Sequence, residues 1–145
     1  MTAVIDTCVV IDVLQNREPF SKAALDVFLA VSNRKVVGIL TAKSILDIYY
    51  IIRRSLHSEA ETRAAVNKLL MLFDVADTFA ADVRMAVSSE TNDYEDAVMI
   101  ETAKRIGADC IVTRNTRDYS ASDIPVFTPE EFIDKLKDEQ KDISE

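Results

Sequence analysis

The order of periodic segments predicts an α/β domain of three layers, α/β/α, with helices on both faces of a central, mostly parallel sheet. Short apolar runs of strand type alternate with longer segments whose apolar residues recur at helical spacing. Successive strands are separated by one or more helices, which implies parallel pairing. A chain of 145 residues, 48% hydrophobic and 29% charged, is long enough to bury one sizeable core and has the composition of an ordinary globular domain.

The first strand is Ala3-Val4-Ile5, ended by Asp6 and followed by the apolar positions Val9, Val10, Ile11, Val13 and Leu14. A helix over about 20–31 carries Ala23, Ala24, Val27, Phe28 and Val31 at helical spacing. The β-branched run Val36-Val37-Gly38-Ile39-Leu40 is a buried strand, and Ala42, Ile45, Leu46, Ile48, Tyr49 and Ile52 mark an amphipathic helix ending near Arg54. His57 precedes Ser58-Glu59-Ala60-Glu61, a capping box that opens a long helix reaching Phe73. A weak strand follows at 74–76, then a helix from about residue 80. Another helix runs from Asp93 to Ile106 and stops at Gly107. Cys110-Ile111-Val112-Thr113 is the clearest late strand. Ile124-Pro125-Val126-Phe127 is an edge strand, because Pro125 cannot donate to a central ladder. Thr128-Pro129-Glu130-Glu131 has the cap, first-position proline and third-position glutamate of a final helix. The expected domain is 1–137, with 138–145 as a charged, frayed tail.

Only 2 Gly and 3 Pro argue against linkers, and no apolar run nears the roughly 18–20 residues that span a bilayer. The opening Met1–Asp6 has neither a basic region nor a cleavable apolar stretch, so a cytoplasmic protein with no membrane association is expected. Cys8 and Cys110 lack any metal or redox spacing and read as free thiols. A single histidine excludes zinc sites that need several. The net charge of −8 speaks against wrapping nucleic acid by bulk electrostatics, though not against an acidic pocket neutralised by metal.

The chemistry lies in the acids. All strand-to-helix turns of a parallel sheet emerge at one end, where polar residues meet. That places Asp6 beside the 113–118 turn with Asn115 and Asp118. Asp47, on the helix after the second strand, and Asp93 and Asp96, opening the helix before the late strand, can converge on the same crevice. Two carboxylates about 5 Å apart repel by roughly 3 kcal/mol at an effective dielectric near 20, so four cannot all stay ionised without a cation. Oxygen ligands without a histidine or thiolate pattern favour Mg²⁺ or Mn²⁺, and the chemistry that suits such a site is phosphodiester hydrolysis. Each acid also has a structural use: Asp6 as a helix cap, Asp93 as an N-cap with Asp96 at the third position, Asp47 as the ion-pair partner of Lys43 or Arg54, and Asp118 as a turn residue.

From Ala3 to about Leu136 the pattern resembles the PIN domain, the fold of VapC-type ribonuclease toxins. Val4-Ile5-Asp6-Thr7-Cys8-Val9-Val10-Ile11-Asp12 is similar to its strand-Asp-Thr-Asn-hydrophobic opening. Thr41–Asp47, Asp93–Val98 and Thr113-Arg114-Asn115-Thr116-Arg117-Asp118-Tyr119 resemble the segments with its second, third and fourth acids. The resemblance implies a Mg²⁺- or Mn²⁺-dependent endoribonuclease with Asp6, Asp47, Asp96 and Asp118 as catalytic acids. Asp6, Asp93, Asp96, Asn115 and Asp118 would be metal ligands, and Thr7 and Thr113 supporting hydroxyls. Cys8 stands where the family carries asparagine, Asp47 is one methylene shorter than the common glutamate, and Asn115 replaces aspartate. For RNA contact the candidates are Arg53, Arg114, Arg117 and Tyr94, with Arg54, Tyr49, Tyr50 and Tyr119 also near the crevice in sequence. A protein antitoxin and a homodimer are the partners the resemblance implies. Two other readings stand beside it. One is a PIN-like module that binds RNA or protein through a site weakened at Cys8 and Asn115. The other, a phospho-acceptor receiver domain, is disfavoured, since no pair of adjacent acids follows the first strand.

Overall fold

A computed structural model describes residues 1–145. Five parallel strands form one sheet in the order β3-β2-β1-β4-β5. In chain order the elements are β1 (Thr2–Ile5), α1 (Thr7–Leu14), α2 (Ser21–Ser32), β2 (Val37–Thr41), α3 (Ala42–Leu56), α4 (Glu59–Leu72), β3 (Asp74–Ala76), α5 (Ala80–Ala86), α6 (Tyr94–Arg105), β4 (Cys110–Val112), β5 (Val126–Phe127) and α7 (Pro129–Ser144), with a 3₁₀ turn at Thr116–Tyr119. The three-layer α/β/α architecture expected from the segment order is the one observed. No helix is long and apolar enough to cross a membrane.

The period of two along each strand sorts side chains between the faces. Ala3 and Ile5 of β1, Leu40 of β2, and Cys110 and Val112 of β4 join the larger core with α1, α2, α3, α4 and α7. Val4 and Ile111 point the other way, onto Met99, Ile100 and Ala103 of α6 and the ring of Tyr119. Both faces of the central strands are therefore apolar, which is why they read as continuous hydrophobic runs. Gly38 lets β2 pass close under its covering helices: a Cβ there would sit 2.7 Å from the Phe73 ring and 2.8 Å from Val31.

Element ends follow the local signals. Ser58 accepts from the Glu61 N–H at 3.2 Å, and exposed His57 takes φ 53 to end α3. Thr128 and Glu131 cap each other reciprocally, at 3.2 and 3.1 Å. Gly107, at φ 68, ends α6 in the left-handed conformation that favours glycine. One boundary differs. The charged segment after Leu136 is helical and continues α7 to Ser144, with Lys135–Glu139 and Lys141–Asp138 pairs on its surface.

Candidate functional site

Residues just past the carboxyl ends of β1 and β2, Thr78 beyond β3, and the facing sides of α3 and α6 line a cleft of about 300 Å³. Asp6 is the first residue beyond β1 and reaches the cleft because α1 starts immediately after it. Its backbone N–H continues the ladder to Val112 at 2.9 Å, so the acid is locked to the end of β4. The Thr113 hydroxyl donates to Asp6 Oδ2 at 2.7 Å, and the Cys8 thiol lies 3.5 Å from the same oxygen. Burial pushes the Asp6 carboxyl above its ordinary value, and these donors only partly offset the rise.

Asp96 enters from the first turn of α6. The Tyr119 hydroxyl, on an otherwise buried ring, donates to Asp96 Oδ1 at 2.9 Å. Despite that bond the Asp96 pKa is pushed up to about 7, first by desolvation and then by the negative charges of Asp6, Asp93 and Asp118. Neither Asp6 nor Asp96 has a salt-bridge partner within the chain. Asp6 raises the cost of ionising Asp96, and Thr113 and Tyr119 orient the two carboxylates by hydrogen bonds.

The other sequence candidates separate. Asp47 lines the cleft but is paired with Lys43, whose Nζ also meets Glu95 Oε1 at 2.9 Å. Burial alone would lower the Lys43 pKa; the hydrogen bonds it donates to Asp47 and Glu95 raise it instead. Asp93 is exposed and caps α6, accepting the Asp96 N–H at 3.1 Å. Asp118 and Asn115 are exposed on the turn after β4; Asp118 acts on Asp96 through its charge, and the Asn115 N–H donates to Thr113 Oγ1 at 3.1 Å. Asp6, Asp47 and Asp96 thus share the cleft, and Asp93 and Asp118 lie near enough to act on Asp96, but no three acidic, cysteine or histidine side chains gather as a ready-made metal site. What remains at the centre is the pair Asp6 and Asp96. Thr7 lies on the cleft wall.

Arg114 is a further correction. Its guanidinium forks onto the fully buried Asp12, with Nη2 at 3.1 Å from Oδ1, and stacks 4.0 Å from the centre of the Phe20 ring. It staples the turn bearing Thr113 and Tyr119 to α1, and its planar donor face is already used. Tyr119, 2% exposed, has no face to stack on a base. Tyr94 donates to the Val83 carbonyl at 2.7 Å and, like Arg53 and Arg117, stands outside the cleft lining. Arg54 and the exposed Tyr50 do line it. Four features escaped the sequence: Glu95, the Tyr119–Asp96 bond, the Asp12–Arg114 staple, and a polar wall of Thr41, Ser44, Thr78 and Thr102. Asp12 alone had left a signal, an acid inside the apolar run Val9–Leu14.

The sequence profile described as "PIN domain" matches residues 2–117. The chain belongs to the PIN domain family. No curated protein matches it in sequence. Among solved structures, this PIN domain is similar to a toxin–antitoxin complex from Klebsiella pneumoniae, with 23% identity and a TM-score of 0.62 over 88% of this chain and 97% of that one. VapBC2 from Rickettsia felis, bound to a DNA fragment from its promoter, gives 12% identity and 0.63 over 88% and 97%. VapC20 of Mycobacterium tuberculosis, a sarcin–ricin loop cleaving toxin, gives 14% and 0.59 over 75% and 86%. At these identities the likeness is one of fold.

The donors of this PIN cleft suit a hard divalent ion. They are carboxylate oxygens, buried or half-buried, and burial raises both above their ordinary values. Mg²⁺ is commonly held through one or two carboxylates, water and substrate phosphate, so two acids are a sufficient protein contribution.

Proposed function

We propose that this PIN domain is a divalent-metal-dependent endoribonuclease, the toxin of a toxin–antitoxin pair, acting within residues 1–137. The observation that carries the reading is the Asp6–Asp96 pair: two acids without a salt-bridge partner, one with a pKa near 7, facing one cleft in a fold shared with a loop-cleaving toxin. Asp6 and Asp96 would hold Mg²⁺ or Mn²⁺. The bound ion supplies Lewis-acid activation of water and of a phosphodiester.

The chain's own residues do the rest. Thr113 and Tyr119 fix the two carboxylates so that their oxygens need not reorganise. Asp93 and Asp118 deepen the negative field around Asp96, Asp47 faces the same cleft in its pair with Lys43, Asn115 braces Thr113, and Thr7 lines the cleft. Arg54 and Tyr50 on the cleft wall, with Arg53 and Arg117 beyond it, contact the RNA backbone and bases. Few such contacts against a net charge of −8 give a shallow salt dependence of binding. The toxin–antitoxin complexes among the similar structures support a protein antitoxin as partner, and a homodimer in the cytoplasm completes the proposal.

The test pairs two measurements. Calorimetry should record Mn²⁺ binding by the wild-type chain and its loss in Asp6→Asn and Asp96→Asn. Structured RNA should be cut with Mg²⁺ or Mn²⁺ and spared with EDTA. Metal binding with RNA left intact would instead favour a weakened module that binds RNA or protein, a reading supported by the thiol at Cys8 and the Lys43 pairing of Asp47.

A further inference from the structure

The cleft holds an internal cation beside its acids, and its charge can be balanced residue by residue. Four carboxylates line it, Asp6, Asp47, Glu95 and Asp96, against two cations, Lys43 and Arg54. Two negative charges remain, which one divalent ion neutralises. The positive charges are not spread evenly. The Lys43 ammonium bridges Asp47 and Glu95, while Asp6 and Asp96 receive no salt bridge. Lys43 is also positioned by its backbone, whose N–H approaches the Thr78 hydroxyl at 3.4 Å.

Resting on the metal-dependent reading above, we propose that Lys43 is the chain's own substitute for a second cation and limits the cleft to one divalent ion, held at Asp6 and Asp96. A divalent ion between Asp47 and Glu95 would have to displace an ammonium already hydrogen-bonded to both. A second ion placed without displacing it would stand against that ammonium's charge.

Counting bound Mn²⁺ tests this. The full-length chain is titrated with Mn²⁺, free ion is followed by electron paramagnetic resonance, and stoichiometry is confirmed by calorimetry, with circular dichroism to verify folding of each variant. One ion per chain is expected for the wild type and for Lys43→Arg, which keeps the cation. Two are expected for Lys43→Met, the second weaker, returning to one in Lys43→Met/Asp47→Asn. Should Lys43→Met not fold, Lys43→Gln keeps a polar side chain of similar length and carries the same expectation. Two ions in the wild type, or one in the charge-removing variant, overturn the role of Lys43 and leave the nuclease reading standing. No ion in the wild type overturns both.

Discussion

Two kinds of buried acid coexist in this chain, and the contrast between them separates scaffold from site. Asp12 and Asp82 are 0% and 2% exposed, and each is met by an arginine that forks onto its carboxylate and rests on a partly exposed phenylalanine ring. Arg114 stacks on Phe20 and Arg105 on Phe79, at 4.0 and 3.8 Å from the ring centres. Asp82 also accepts from the Phe79 N–H and the Thr102 hydroxyl, both at 2.9 Å. Burial pushes its pKa up, but these donors together bring it below the ordinary value. Asp6 and Asp96 are buried or half-buried without such a partner, and both are raised. Where the fold supplies the counter-ion, the acid stitches elements together. Where it withholds one, the acid keeps a raised pKa, and the proposed metal would supply the missing charge.

The largest effect follows from breaking the first kind of pair. Arg114→Met leaves the enclosed Asp12 carboxyl without its partner, and losing one partner of a buried pair costs about 3–5 kcal/mol. Since the guanidinium is partly exposed, the low end applies, roughly 3 kcal/mol, read as a shift of the urea midpoint. Asp12→Leu/Arg114→Met should recover most of the loss. If the single variant is as stable as wild type, the staple is not structural and Arg114 returns as an RNA-contact candidate.

The second kind of acid should respond with the opposite sign. Asp96→Asn relieves charge repulsion, so the metal-free protein should melt higher than wild type. Its Mn²⁺ affinity should fall by at least the roughly 100-fold that loss of an outer-shell partner alone can cost. A lower melting temperature with unchanged affinity would place Asp96 among the structural acids. Arg105→Met sits between these cases. Asp82 retains Phe79 N–H and Thr102, so a smaller loss than that of Arg114→Met is expected in the same urea experiment. A cost equal to that of Arg114→Met would mean that the extra donors contribute nothing.

How much of this was legible beforehand depends on whether the determining interaction is local. Strand-helix alternation, the Ser58 and Thr128 caps and the Gly107 stop are set by residues within four of one another, and the structure follows them. The neighbourhood of Asp6 and Thr113 is also readable, because parallel topology brings consecutive strand ends to one edge. The pairing of acids with cations is not. Arg114 was an equally good RNA ligand until Asp12, 102 residues earlier, claimed it. Glu95 and Asp96 are adjacent in sequence, yet α6 turns one toward Lys43 and the other toward Tyr119. Charge type was visible, but the partner was decided by packing.

The smallest expected effect is a pH dependence in which both kinds of acid act with opposite signs. Asp82 is lowered in the folded state, so its stabilisation is complete above its ordinary value of 3.8 and is lost as pH falls through the depressed folded value. Asp96 is raised to about 7 from 3.8, so the folded metal-free chain binds more protons than the unfolded one between those values. Stability therefore declines as pH rises across that window, and Asp6, also raised, adds to the decline. Metal-free protein should be most stable near the bottom of the window, with a shallow fall toward neutrality, because Asp96 is only half buried and solvent screens its charge. Saturating Mn²⁺ should flatten the neutral side by supplying the missing charge, while the acid side, governed by Asp82 and its arginine, stays. Urea midpoints at half-unit steps of pH, with Mn²⁺ and with EDTA, resolve the two limbs. An EDTA curve that keeps rising to pH 7 would mean that Asp6 and Asp96 find their counter-charge within the chain, and the distinction between the two kinds of acid would collapse.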